Sequence, residues 1–135
     1  METKVAGEKA KEITASLRFS RPSIIDADGL AKGIWLLWDD TFQVNVLNER
    51  AQVIHAMVKV NSHPSFSNFI WYLSAVYGHP QFETRSLFWE NLKQFSQVIQ
   101  GPRLVIGDFN DVTCQDEKFG VTLFPNTELE HMWTV

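Results

Sequence analysis

The sequence predicts an α/β (α+β) sandwich, two mainly antiparallel β-sheets flanked by helices. Three observations predict it. Apolar residues recur at period 2, or in short continuous runs, between residues 22 and 77. Two stretches, near residues 4–17 and 84–98, carry helical spacing instead. The resulting order of helix, several strands, helix and strand favours strands paired largely antiparallel, with the helices packed outside.

Each element has a local reason. From about Lys4 to Leu17, Val5, Ala6, Ala10, Ile13 and Leu17 fall near one face and Lys9, Lys11 and Glu12 mostly elsewhere, the pattern of a short amphipathic helix. Pro22 opens an extended run through Ile24 and Ile25. Asp28-Gly29 then supplies turn chemistry before the continuous apolar run Gly33-Ile-Trp-Leu-Leu-Trp38, read as a buried strand. Asp39-Asp40 breaks the chain; Phe42, Val44 and Val46 alternate with polar neighbours; Asn48-Glu49 breaks it again ahead of Val53 to Val60, and antiparallel hairpins are the simplest account. Asn61-Ser-His-Pro64 is a turn cluster. Phe69 to Tyr77 is a long β-prone run ending at Gly78-His-Pro80, expected as a central strand. Thr84 is placed to cap a second helix, in which Leu87, Phe88, Leu92, Phe95 and Val98 share a face, Glu90, Lys93 and Gln94 point away, and Gly101-Pro102 is the stop. Leu104-Val-Ile106 is a short buried strand, and Gly107-Asp-Phe-Asn-Asp111 leaves its carboxyl end as a polar loop. The period dissolves beyond Gly120, so residues 1–120 are assigned to the domain and 121–135 to an irregular tail, with no internal repeat.

Composition agrees with a packed interior. A chain of 135 residues has the size of one domain, able to bury roughly two-thirds of its unfolded surface. With 44% apolar and 21% charged residues it is no disordered polyelectrolyte, and five Trp and ten Phe supply large areas to bury. Cys114 stands alone, so no internal disulfide is expected. His55, His63, His79 and His131 are too dispersed to read as a zinc cluster. No leader and no apolar run near 18 residues is present, so the expectation is a soluble, intracellular protein without a membrane partner. A net charge of −4, from 12 basic and 16 acidic residues, argues against a broad electrostatic footprint for nucleic acid, so any DNA contact must be local.

The stretch most able to carry chemistry is Leu104-Val-Ile-Gly-Asp-Phe-Asn110. Asp108 and Asn110 are two apart and project from the same side of an extended backbone, where a carboxylate and an amide can face one phosphate. Gly107 allows close approach. The same spacing also describes an ordinary Asp/Asn turn after a strand, and spacing alone does not choose between the two.

Gly107-Asp-Phe-Asn110 resembles the Gly-Asp-Phe/Leu-Asn motif of the endonuclease/exonuclease/phosphatase family, and further segments are similar to it in the same order. Met1-Glu-Thr-Lys4 resembles its Gln-Glu-Thr-Lys segment. Gly29-Leu-Ala-Lys-Gly-Ile-Trp-Leu-Leu-Trp38 is similar to a glycine-led strand of the branch carried by plant LINE-type (non-LTR) retrotransposon reverse transcriptase polyproteins. Val76-Tyr-Gly78 with Arg85, Trp89 and Leu92, and then Glu117-Lys118 with Gly120, resemble that branch as well. The resemblance implies an incomplete DNase I-like sandwich with its site at the sheet edges. It implies Glu2 as the ligand of Mg²⁺, with Mn²⁺ as its substitute, and Tyr77, Asp108 and Asn110 as catalytic residues. Tyr77 would position a phosphate, Asp108 would orient or deprotonate the attacking water, and Asn110 would hydrogen-bond the phosphate or that water.

Taken singly, each residue also has a structural role open to it. Glu2 reads as a solvated terminal charge and Tyr77 as a strand-end core aromatic, while Arg85 and Trp89, four apart, read as docking the second helix on the sheet. The family's upstream Asn and downstream Ser-Asp-His have no counterpart: the chain starts one residue before Glu2, and His131 lies in Glu-His-Met. Pro80 stands where some relatives carry an Asn, and Val121 replaces a Gly. The expectation is therefore a DNA endonuclease domain cut short at both ends, with activity weak or lost and a nuclear location following from the substrate. The alternative is a non-catalytic remnant of the fold that binds nucleic acid or protein.

Overall fold

β-branched and aromatic residues cluster in runs of five to nine, and those runs become strands. The computed structural model describes residues 2–17, 19, 21–27, 32–50, 52–61 and 69–111. Along them run β1 (Glu2–Thr3), α1 (Gly7–Ser16), β2 (Arg21–Ile25), β3 (Gly33–Trp38), β4 (Phe42–Arg50), β5 (Val53–Val60), β6 (Ile70–Tyr77), α2 (Phe82–Val98) and β7 (Arg103–Asp108). The fold is mixed α/β, with a three-stranded sheet ordered β1-β3-β2 and a four-stranded sheet ordered β4-β5-β6-β7. Every pairing is antiparallel except β6 with β7. A parallel neighbour requires a crossover, and α2 supplies it. The expectations for Asp28-Gly29, Ser62 to Pro64, Cys114, Glu117 to Gly120, His131 and the 121–135 tail lie outside the described residues.

Side-chain alternation sorts the core into two layers. Ile34 of β3, Ile54 of β5, and Ala75 and Tyr77 of β6 meet between the sheets, with Ile25, Leu36 and Val46 packed against them. Their sequence neighbours Val53 and Val76 point the other way and meet Phe88 and Leu92 of α2. Burial of Phe88 and Leu92, at 2% and 3% exposure, stabilises the fold by about 1.5–3 kcal/mol each.

A polar contact also fixes α2. His55 of β5 is buried, stacks on Phe95 with ring centroids 3.8 Å apart, and lies 2.6 Å from Asn91 Oδ1 through Nε2 and 2.8 Å from Ser74 Oγ through Nδ1. A carbonyl oxygen only accepts, so Nε2 carries the hydrogen and Nδ1 accepts from the Ser74 hydroxyl. Burial pushes the His55 pKa down, the Asn91 hydrogen bond opposes the shift, and the Arg103 charge adds to it.

Several expectations are corrected. The first helix begins at Gly7, because Glu2 and Thr3 pair with Ile34 and Gly33 as a strand. Its buried residues are Ala10 and Thr14, while Ala6 is exposed and Leu17 is 41% exposed. The Thr14 hydroxyl is satisfied within the helix by Ala10 O and Lys11 O, each at 3.0 Å. Asp39-Asp40 breaks the chain as expected, turned by Asp39 Oδ1 accepting from Thr41 N–H at 2.9 Å, but the strands on either side belong to different sheets and form no hairpin. Asn48-Glu49 does not end β4: the pairing slips between Val46 and Asn48 as a bulge and continues to Arg50. Thr84 does not cap α2, whose N-cap is Gln81 without a side-chain bond. Leu87 and Val98 are 66% and 76% exposed, and Arg85, Phe88 and Leu92 form the buried face.

Candidate active site

Parallel strands point their carboxyl ends the same way, so what leaves β6 and what leaves β7 meet. Tyr77 and Asp108 are Cα partners in the last register pair. Gly78 N–H donates to Asp108 O at 2.7 Å, extending the ladder one step beyond. Two glycines permit this approach. A Cβ on Gly78 would lie 2.0 Å from Phe109 O, and one on Gly107, at φ +146°, would lie 1.9 Å from Val76 O.

The β7 exit folds back on itself. Asp108 Oδ1 accepts from Asn110 N–H at 2.8 Å, and Asn110 Nδ2 donates to Gly78 O at 2.6 Å. Asn110 has φ 47°, a left-handed conformation that Asn tolerates better than most residues. The turn suggested by the Asp-x-Asn spacing is therefore present, and it ties the two exits together. Both it and the site-like arrangement describe this loop. The bond to Gly78 uses one of the amide's two hydrogens, leaving the second for another acceptor. Asp108 is exposed.

Tyr77 is 3% exposed and packs with Ile34, Ile54 and Ala75. Lys32 Nζ lies 5.8 Å from the Tyr77 ring centroid, which brings a cation to this end of the molecule. Glu2 reaches the same end by its backbone: it is the register partner of Ile34, which shares a core cluster with Tyr77. The Glu2 side chain lies outside what is described. Three of the four sequence-expected residues are thus adjacent, Tyr77 and Asp108 by backbone pairing and Asn110 by its bonds to Asp108 and Gly78, while the fourth sits on β1, the neighbour of the β3 strand that packs on Tyr77.

Sequence reasoning missed what holds the two exits. Asp111 Oδ2 accepts from Trp89 Nε1 at 3.3 Å and lies 3.5 Å from Arg85 Nε. Arg85 Nη1 donates to His79 O at 3.1 Å and Pro80 O at 2.9 Å. The available signal was the four-residue spacing of Arg85 and Trp89, which puts both on one helix face without saying what they reach.

Among the described residues no three His, Cys, Asp or Glu side chains converge on a metal position, and no helix is long and apolar enough to cross a membrane. The acidic residues placed at this end include Asp108, Asp111, which is engaged by Arg85 and Trp89, and, by its backbone, Glu2. Carboxylate oxygen is the donor type that Mg²⁺ takes one or two of while keeping water in the rest of its shell. The chain matches no family model, no curated protein and no solved structure.

Proposed function

We propose that the chain carries part of the active centre of a Mg²⁺-dependent phosphodiesterase that acts on DNA, with weak turnover. The observation that carries the reading is the joining of the β6 and β7 exits. Tyr77 pairs with Asp108, and Asn110 Nδ2 reaches back to Gly78 O, so a carboxylate and an amide stand side by side at one sheet end. Glu2 of β1, paired through its backbone with Ile34 of the β3 strand that packs on Tyr77, brings a further acidic residue toward this end. In this reading Asp108 orients the attacking water and takes its proton as the new O–P bond forms and the P–O bond to the leaving group breaks. The second amide hydrogen of Asn110 donates to a phosphate oxygen, and Tyr77 positions that phosphate. Glu2 would be the residue to hold Mg²⁺, which when bound would supply positive charge against the charge that develops on phosphate.

A supercoiled plasmid with Mg²⁺ tests the reading. Nicking by the wild-type chain that is lost in Asp108→Ala supports it, since a contaminating nuclease would ignore the substitution. Nicking that persists unchanged in Asp108→Ala, or its complete absence in wild type, sinks it.

One observation favours a second reading, in which the fold binds a protein and does not cut. Leu104 and Ile106, on the same side of β7 as Asp108, are 48% and 56% exposed, an apolar strip of the kind that recognition surfaces use.

A further inference from the structure

Docking a helix on a sheet needs only apolar side chains, and Phe88 and Leu92 already provide them. One turn before Phe88, however, α2 buries a guanidinium: Arg85 is 5% exposed. A buried charge is costly unless it is paired and hydrogen-bonded, so its partners constrain it and it constrains them. All of its partners named above lie in the two exits. His79 O and Pro80 O belong to the loop after β6, and Asp111 to the loop after β7. Trp89 repeats the pattern. Its indole N–H goes to Asp111, and its ring stacks on Phe109 with centroids 5.7 Å apart and planes at 14°.

We infer that Arg85, Trp89 and Asp111 form a positioning clamp that holds the β6 and β7 exits in one relative geometry and so orients Asp108 and Asn110. Asn110 lies between two clamped neighbours, Phe109 under the Trp89 ring and Asp111 on Arg85 and Trp89. The clamp keeps it at φ 47°, where its side chain reaches Gly78 O and its N–H reaches Asp108 Oδ1. Without the clamp, an isolated Asn would leave this conformation for the more populated regions of backbone space. The inference rests on the phosphodiesterase reading only for what Asp108 and Asn110 do; the clamping itself stands apart from it.

Residue-resolved amide exchange of wild type, Trp89→Phe and Asp111→Asn tests it. Trp89→Phe keeps an aromatic ring beside Phe109 while removing the indole N–H together with part of the ring area, and Asp111→Asn keeps the shape and removes the charge. The expected result is exchange about tenfold faster at the Gly78 and Asn110 amides in both variants, with the β5 amides of Met57 and Val58 within about twofold of wild type. Unchanged protection at Gly78 and Asn110 overturns the clamp. Equal acceleration in β5 also overturns it, because that is what simple loss of helix docking would produce. Should Asp111→Asn fail to fold, Trp89→Phe carries the test by the same criteria. The nicking assay separates the two ideas. A wild type that does not nick ends the phosphodiesterase reading and leaves the exchange result standing. In a wild type that nicks, Trp89→Phe is expected to lower kcat by about ten- to a hundredfold with KM within about twofold.

Discussion

At Gly78, where β6 meets the β7 exit, a Cβ would lie 2.0 Å from Phe109 O. The obstacle is backbone, which a side-chain rotation does not relieve. Gly78→Ala is expected to destabilise the chain by about 1–3 kcal/mol in urea titration, and to separate the β6 and β7 exits. His55 makes a second residue-scale prediction. Its folded-state pKa is pushed below the ordinary value near 6.5. Between the folded value and about pH 6.5 the unfolded chain binds a proton that the folded chain refuses. Stability therefore falls as pH drops through that window and levels off below the folded value. Thermal melts from pH 7.5 to 5 are expected to fall by about a few degrees in wild type. His55→Gln, which does not titrate, should flatten the change in that window. At this scale the sequence was informative about Asp108 and Asn110, because a turn motif is local. It was silent on His55, whose partners Ser74 and Asn91 lie 19 and 36 residues away. It was equally silent on Asp111, which reaches Trp89 across 22 residues.

At the scale of elements, α2 separates periodicity from burial. Leu87 was expected on the buried face, yet it is 66% exposed next to Phe88 at 2%. Phe88→Ala is expected to cost about 3–5 kcal/mol, and Leu87→Ala to stay within about 0.5 kcal/mol. Equal losses in chemical denaturation would mean that the helix sits rotated from the orientation described here. The strands were legible because β-branched and aromatic runs are long and punctuated: β3, β5 and β6 fall within a residue or two of their expected bounds. What misled was polarity read as an end. Asn48 and Glu49 follow a bulge and still pair, with His55 and Ile54, and Glu2 and Thr3 join a sheet despite neighbouring a helical pattern, since β3 offers them backbone partners that no local propensity records. The parallel β6–β7 pairing was hidden for a similar reason. A crossover is chosen by what the helix packs against, and those contacts are non-local.

At the scale of the molecule the two sheets are joined by apolar contact between Ile34, Ile54, Ala75 and Tyr77, and a polar bond also crosses between them: the Ser23 hydroxyl of β2 donates to Glu49 Oε1 of β4. Ser23 is 5% exposed, whereas Glu49 is exposed. The two deletions should therefore be unequal. Ser23→Ala frees a carboxylate that water can reach and is expected to cost about 0.5–1.5 kcal/mol; Glu49→Ala strands a buried hydroxyl and is expected to cost about 1–3 kcal/mol. The reverse order in urea midpoints would rule out a load on the buried partner. The crossover by α2 also orders events in time. β4 and β5 pair residues as close as Arg50 and Val53, but every β6–β7 pair joins residues 31 apart, as Tyr77 with Asp108. Closing the longer loop costs more chain entropy before any contact rewards it, and it waits on a helix being laid down between. A newly made chain is thus expected to acquire its β4–β5 hairpin before its Tyr77–Asp108 junction. For some interval each molecule holds hairpins without that junction, so a slowed β6–β7 pairing would leave chains that resist denaturant through the hairpins while Asp108 still lacks Tyr77 as its partner.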